Sequence, residues 1–132
     1  MDNNYYMKIH HIGIIVNDII KNIEIYSKLG YTQKGNVITD NIQHNRIVFM
    51  SSPFSPMLEL IEPINISSSI YNFKIGYHHI CYEMENNEKI LTTFNKLRIG
   101  KIFTKPTQAP AIDNRDIVFA CLTNGVFVEF IL

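Results

Sequence analysis

Gly76-Tyr77-His78-His79-Ile80-Cys81-Tyr82-Glu83 decides how this chain is read. A β-strand sends successive side chains to opposite faces. His79, Cys81 and Glu83 then share one face, and Ile80, Tyr82 and Met84 share the other. The first set suits chemistry and the second suits packing. The stretch also has a twin near the N-terminus, because His79-Ile80-Cys81-Tyr82-Glu83-Met84 echoes His11-Ile12-Gly13-Ile14-Ile15-Val16. In the twin, Ile12, Ile14 and Val16 form one face, and His11, Gly13 and Ile15 form the other.

The segments downstream of the two copies are duplicated as well. After the first, Asn17 or Asp18 can cap a helix on which Ile19, Ile23 and Tyr26 recur at helical spacing. Gly30 is placed to stop that helix with a positive φ. Strands are predicted at 31–39, 46–51 and 57–61. Residues 64–75 hold three consecutive serines and little periodicity, and read as a connector. After the second copy, Asn86 or Asn87 can cap a helix whose Ile90, Leu91, Phe94 and Leu97 share a face, with Gly100 as its stop. A short strand at 101–105 leads to a loop with Pro106 and Pro110. The last strands, 116–123 and 126–132, flank the hairpin signal Asn124-Gly125.

The halves overlay with a small slip. His79 follows His11 by 68 residues, while Gly100 follows Gly30 by 70. Ile117-Val118-Phe119 and Glu129 likewise follow Ile47-Val48-Phe49 and Glu59 by 70. A strand-helix-strand-strand-strand unit is therefore written twice, in modules at about 8–63 and 76–132. Each short sheet needs a partner to bury its apolar face, so the expected product is a single pseudo-symmetric α+β domain spanning 1–132.

Composition narrows the function classes. At 132 residues and 46% hydrophobic, the chain can build a sizeable core. Lys plus Arg equals Asp plus Glu, 12 against 12, and no basic stripe is visible, which argues against nucleic acid as a partner. No stretch is long enough to span a bilayer. Cys81 and Cys121 fall in apolar strand patterns and read as reduced thiols. The polar start, Met1-Asp2-Asn3-Asn4-Tyr5-Tyr6, lacks the apolar run of a signal peptide, and the expected location is cytoplasmic.

The repeat puts four candidate ligands in equivalent places: His11 and His79 in the first strand of each module, Glu59 and Glu129 in the last. If a two-fold axis relates the modules, all four converge. Each glutamate sits among apolar neighbours, in Met57-Leu58-Glu59-Leu60-Ile61 and Phe127-Val128-Glu129-Phe130-Ile131. A lone buried carboxylate must be paired, protonated or metal-bound. No Lys or Arg lies at strand spacing near either one, and a divalent cation would satisfy both. Two imidazoles and two carboxylates suit Ni, Co, Zn, Mn or Fe(II), with a position or two left for substrate. Taken singly, a strand histidine is more often a hydrogen-bonded core residue, and it is the shared placement that raises the set. His10 and His78 are expected to point to the opposite face, Cys81 to be a small core residue, Glu83 to sit at the rim, and Tyr77 and Tyr82 to pack.

These residues resemble the vicinal oxygen chelate superfamily, which includes glyoxalase I and methylmalonyl-CoA epimerase. The resemblance runs from His11 to Glu129. It implies two βαβββ modules forming an eight-stranded cupped half-barrel around a metal, and a homodimer. His11-Ile12-Gly13-Ile14, Leu58-Glu59-Leu60-Ile61-Glu62-Pro63 and His78-His79-Ile80-Cys81-Tyr82-Glu83 are most similar to the epimerase branch. His11, Glu59, His79 and Glu129 fall on that branch's metal positions, and the same set resembles the bacterial glyoxalase I site. Where the epimerase branch usually carries a Gly-rich segment, this chain has Ala109-Pro110-Ala111-Ile112-Asp113-Asn114-Arg115, which resembles a glyoxalase-like variant group. Asn114 and Arg115 could bind a substrate carboxylate or phosphate.

The resemblance implies a metal-dependent isomerase or lyase that moves a proton beside a carbonyl, with Glu59 or Glu129 as the base. Its substrate would be an acyl-CoA thioester or a thiol hemithioacetal adduct. A drug-sequestering binding protein is the competing class, though such sites often lack the full ligand set. Fe(II) oxygenase chemistry is disfavoured, because Glu59 would fill a position that dioxygen needs.

Overall fold

The computed structural model describes residues 7–84 and 90–132. The proposed helix caps at Asn86 or Asn87 lie outside these residues. The first half runs β1 (Met7–Ile15), α1 (Ile19–Lys28), β2 (Thr32–Asp40), β3 (Asn45–Ser52) and β4 (Ser55–Pro63). The second runs β5 (Gly76–Met84), α2 (Ile90–Leu97), β6 (Gly100–Ile102), β7 (Thr107–Ala109), β8 (Arg115–Leu122) and β9 (Phe127–Ile131). Eight strands form one mixed, curled sheet in the order β2-β3-β4-β1-β5-β9-β8-β6, the expected half-barrel. The short β7 is an addition in the stretch predicted as loop. It pairs with β8, and a 3-10 turn, Pro110–Ile112, comes directly after it.

The two modules meet edge to edge within the chain, through an antiparallel β1–β5 pair. Each first strand also takes its module's last strand as a parallel neighbour, β1 with β4 and β5 with β9. The four strands that carry the candidate ligands are therefore the four central strands of the sheet.

Strand alternation divides the sheet into two faces. Ile14, Val16, Val48, Met50, Leu58 and Leu60 form the outer core of the first module, beneath Ile19 on α1. Val118, Ala120, Val128 and Phe130 repeat this in the second, beneath Ile90 and Phe94 on α2. Leu97, expected on that apolar face, is 56% exposed at the helix end. The intervening residues, Ile47, Glu59, Ile61 and their counterparts Ile117, Glu129 and Ile131, must then face the concave side.

Local chemistry sets the ends of the helices. Asp18 caps α1 by accepting the Lys21 backbone N–H at 3.0 Å. Glu62 accepts the Ile19 N–H at 2.7 Å and also pairs with Arg46, tying the helix to β3 and β4. Gly30 ends α1 at φ +101°, as its position predicts. Gly100 does not end α2. The left-handed residue there is Arg98, at φ +53°. Gly100 begins β6, where a side chain would run into the backbone of Cys121 and Leu122.

Candidate metal centre

The curl of the sheet carries His11, Glu59, His79 and Glu129 to one point on the concave face, all within 5% exposure. His11 Nε2 lies 3.0 Å from Glu129 Oε1, 3.4 Å from Glu59 Oε1 and 3.2 Å from His79 Nε2. His79 Nε2 lies 3.1 Å from Glu129 Oε1 and 3.6 Å from Glu59 Oε1. Ligands about 2.0–2.2 Å from a common ion stand about 2.8–3.6 Å apart in octahedral or tetrahedral geometry. The observed 3.0–3.6 Å matches those edges. The donor chemistry agrees, since two nitrogens and two carboxylate oxygens form a possible site for a divalent cation. Protons can balance the same charges. Burial pushes Glu129 up, but hydrogen bonds from His11 and His79 outweigh it and hold the carboxyl below the usual range. Burial lowers His11, yet the Glu59 charge and the hydrogen-bonding neighbours raise it well above an ordinary histidine.

Equivalent groups from the two modules grip each imidazole. Phe49 meets His11 edge-to-face at 5.2 Å, and Phe119 meets His79 likewise at 5.2 Å. On the other side, His10 Nδ1 lies 2.8 Å from His11 Nδ1, and His78 Nδ1 lies 2.8 Å from His79 Nδ1. Strict alternation predicts that His10 and His78 point away. Two β-bulges change that. Ile9 pairs with Tyr82 and His11 with Cys81, which leaves His10 as the extra residue. Gly13 pairs with His79 and Ile14 with Tyr77, which leaves His78 as the extra residue. Each bulge breaks the ladder locally, shifts the register by one residue and re-aims the side chain of its extra residue. The consecutive His-His pair in both halves was the available signal for this arrangement. Burial, then the neighbouring imidazole, lowers the pKa of both residues, that of His78 to about 4.

The remaining neighbours agree with the sequence reading only in part, Cys81 being the small core residue expected. His10, His11 and Cys81 form a second ligand-type cluster, but burial pushes the Cys81 thiol up and disfavours the thiolate a metal needs. Arg115 does not line the cavity that reaches Glu59, His79 and Glu129. It donates to Glu83 at 2.9 Å and borders a separate hollow with His10 and Lys34. Asn114 is exposed in a left-handed turn at φ +57°. Both were expected to bind substrate. Neither is part of the cavity lining. Tyr77, expected to pack, is 82% exposed.

A cavity of about 320 Å³ reaches His79, Glu59 and Glu129. Ile47, Ile61, Phe119 and Phe127 give it apolar walls. The connector, read only as a link, supplies Ser67, Ser69, Ile70 and Phe73 to its lining. Ser68 donates to Asn45 Oδ1, and the Ser69 N–H donates to the Gln43 carbonyl at 3.0 Å, which pins the connector to β3 and the turn before it. Asp40 also lines the cavity. Its Oδ1 accepts the Ile42 and Gln43 N–H groups at 2.9 Å, while its buried Oδ2 has no partner among the described residues.

Among solved structures, methylmalonyl-CoA epimerase from Mycobacterium tuberculosis has 20% identity and a TM-score of 0.79, covering 93% of this chain and 85% of that one. A hypothetical protein from Bacillus halodurans C-125 has 23% identity and a TM-score of 0.81, covering 95% and 93%. Methylmalonyl-CoA epimerase from Streptomyces coelicolor, in complex with 2-nitronate-propionyl-CoA, has 18% identity and a TM-score of 0.79, covering 94% and 95%. At such identities the likeness carries the fold alone. No curated protein matches the chain. A family model does, over residues 10–119, from the histidine pair of β1 through most of β8. That match covers most of the first repeat and the second as far as β8, and by it this chain belongs to the glyoxalase/bleomycin resistance protein/dioxygenase superfamily.

Proposed function

We propose that the chain is a divalent-metal-dependent enzyme that moves a proton at a carbon beside a carbonyl or thioester, as a methylmalonyl-CoA epimerase does. One observation carries this reading: two buried carboxylates and two imidazoles share a point at the end of a substrate-sized cavity. A cation held by His11, Glu59, His79 and Glu129 would supply Lewis-acid stabilisation of negative charge developing on a carbonyl oxygen. The rest is the work of the chain. The apolar walls exclude water from the reacting carbon. Glu129, whose Oε1 lies between the two imidazoles, would take the proton, and Glu59 would return one. Asp40 Oδ2 offers an acceptor to a substrate N–H or O–H, such as an amide of a pantetheine arm.

Because both carboxylates meet at one centre, a glyoxalase I-like lyase is the second reading. There one carboxylate shuttles the proton between adjacent carbons of a hemithioacetal. The test is metal analysis of the purified protein, then proton NMR of α-hydrogen exchange in deuterated water. Methylmalonyl-CoA and a methylglyoxal–thiol hemithioacetal are offered separately. Exchange with one substrate assigns the reading, and Glu129→Gln is expected to abolish it with an unchanged circular dichroism spectrum. Full exchange in that variant removes Glu129 as the base. Absence of bound metal together with absence of exchange on both substrates defeats the proposal.

A further inference from the structure

We infer that His10 and His78 are positioning residues that hold the imidazoles of His11 and His79 in the tautomer whose Nε2 lone pairs face the cation site. The inference rests on the metal centre proposed above and concerns residues that play no other part in it. Each pair is joined Nδ1 to Nδ1 at 2.8 Å, a hydrogen-bond distance between two atoms that can each donate or accept. One must carry the proton, and the direction has consequences at the far side of the ring. If His10 and His78 donate, His11 and His79 carry their protons on Nε2, pointed at Glu129, and the four residues close into a proton-linked cluster. If His11 and His79 donate, their Nε2 atoms present bare lone pairs beside two carboxylates. The acceptors then stand close together, each Nε2 3.0–3.6 Å from both carboxylates, an arrangement that a bound cation relieves.

The construction around the pairs favours the second direction. Metal-ligating histidines generally donate their other N–H to a partner that sets the ring's orientation, most often a carboxylate or a carbonyl. Here the partner is a neutral imidazole, supplied twice by the extra residue of a β-bulge at equivalent positions in the two modules. A carboxylate there would add negative charge behind a centre that already holds two. An imidazole acceptor lets two carboxylates balance a divalent cation without further charge. The rings are also held. His78 stacks on Phe127 with centroids 5.7 Å apart and meets Phe73 edge-on at 4.8 Å. His10 packs edge-on against Phe49 at 6.0 Å, the same ring that grips His11.

The experiment uses the full chain, labelled with 15N-histidine and loaded with zinc, which is diamagnetic. Protonated Nδ1 atoms are expected on His11 and His79, with a 15N–15N coupling across each hydrogen bond to an unprotonated Nδ1 on His10 or His78. Protons found on His10 and His78 Nδ1 instead would overturn the inference, and this reading needs no variant to fold. Zinc affinity by chelator competition gives the second arm. His10→Leu and His78→Leu are each expected to weaken binding about 10–100-fold. His10→Asn and His78→Asn, whose amide oxygen can occupy the acceptor position, are expected to recover most of it. Leucine variants that bind as tightly as the parent, or asparagine variants no better than leucine, would also overturn it. Failure of the unsubstituted protein to bind zinc, nickel, cobalt or manganese defeats the metal centre itself, and the positioning role with it.

Discussion

His79 owes its place to a residue with no side chain. Gly13 pairs with it across the β1–β5 interface, and a methyl group at Gly13 would overlap the imidazole ring. Its repeat counterpart is Cys81, which pairs with His11. A small residue thus lies beside each imidazole, and Gly13 is present for space rather than for an unusual φ. Alanine is ordinarily the better residue inside a strand. Gly13→Ala is therefore expected to leave the fold intact while displacing His79 and weakening divalent-metal binding at least about tenfold. Circular dichroism and chelator competition check the two halves of that statement, and unchanged affinity would mean that the ring can shift without losing the site. At this scale the sequence was informative about identity and mute about aim. The four candidate ligands stood out because buried carboxylates were repeated at one spacing. The turning of His10 and His78 did not, because a bulge depends on how two distant strands pair.

Among the elements, β5 and β8 are joined on the surface by Glu83 and Arg115. Their side chains are about one-third exposed, so solvent screens the pair, and its contribution is below about 1 kcal/mol. The Arg115 hydrogen bond and charge hold Glu83 below its ordinary value. A depressed carboxyl pKa stabilises the fold above the unfolded value and loses that contribution as pH falls through the folded one. Arg115→Gln should thus be slightly less stable than the parent near pH 7, with the difference shrinking in acid as Glu83 becomes protonated in the folded chain. Urea titrations near pH 7 and in acid decide the point, and a gap that does not shrink assigns the loss to packing. Helices and strands were legible from periodicity. Ile19, Ile23 and Tyr26 place α1 where it is, and Glu129 and Glu59 fall in strands as their neighbours predict. What was not legible was β7. At three residues it is too short to show an alternating pattern, and it becomes a strand only by pairing with Arg115, Asp116 and Ile117. That pairing sets Arg115 opposite Ala109, and neither Asn114 nor Arg115 lines the cavity.

The whole molecule is one sheet with a possible staple at its centre, since His11 and Glu59 belong to one module and His79 and Glu129 to the other. A cation bound there links the halves and stabilises the folded chain by about 2.7 kcal/mol when free metal is at 100 times Kd. Chelation should accordingly lower the thermal midpoint by roughly 10 °C for a chain of this size, and re-addition of metal should restore it. A midpoint indifferent to chelator would argue that the four side chains are bridged by protons instead. The duplicated unit, its outward apolar face and the identity of four inward polar groups are properties of the chain order, because a period of two and offsets of 68 and 70 need no knowledge of neighbours. Which strand edges meet, where the register slips by one residue, and how the connector closes over the cavity are decided only when the modules pack. Those features arise from contacts between segments dozens of residues apart, and no local pattern records them.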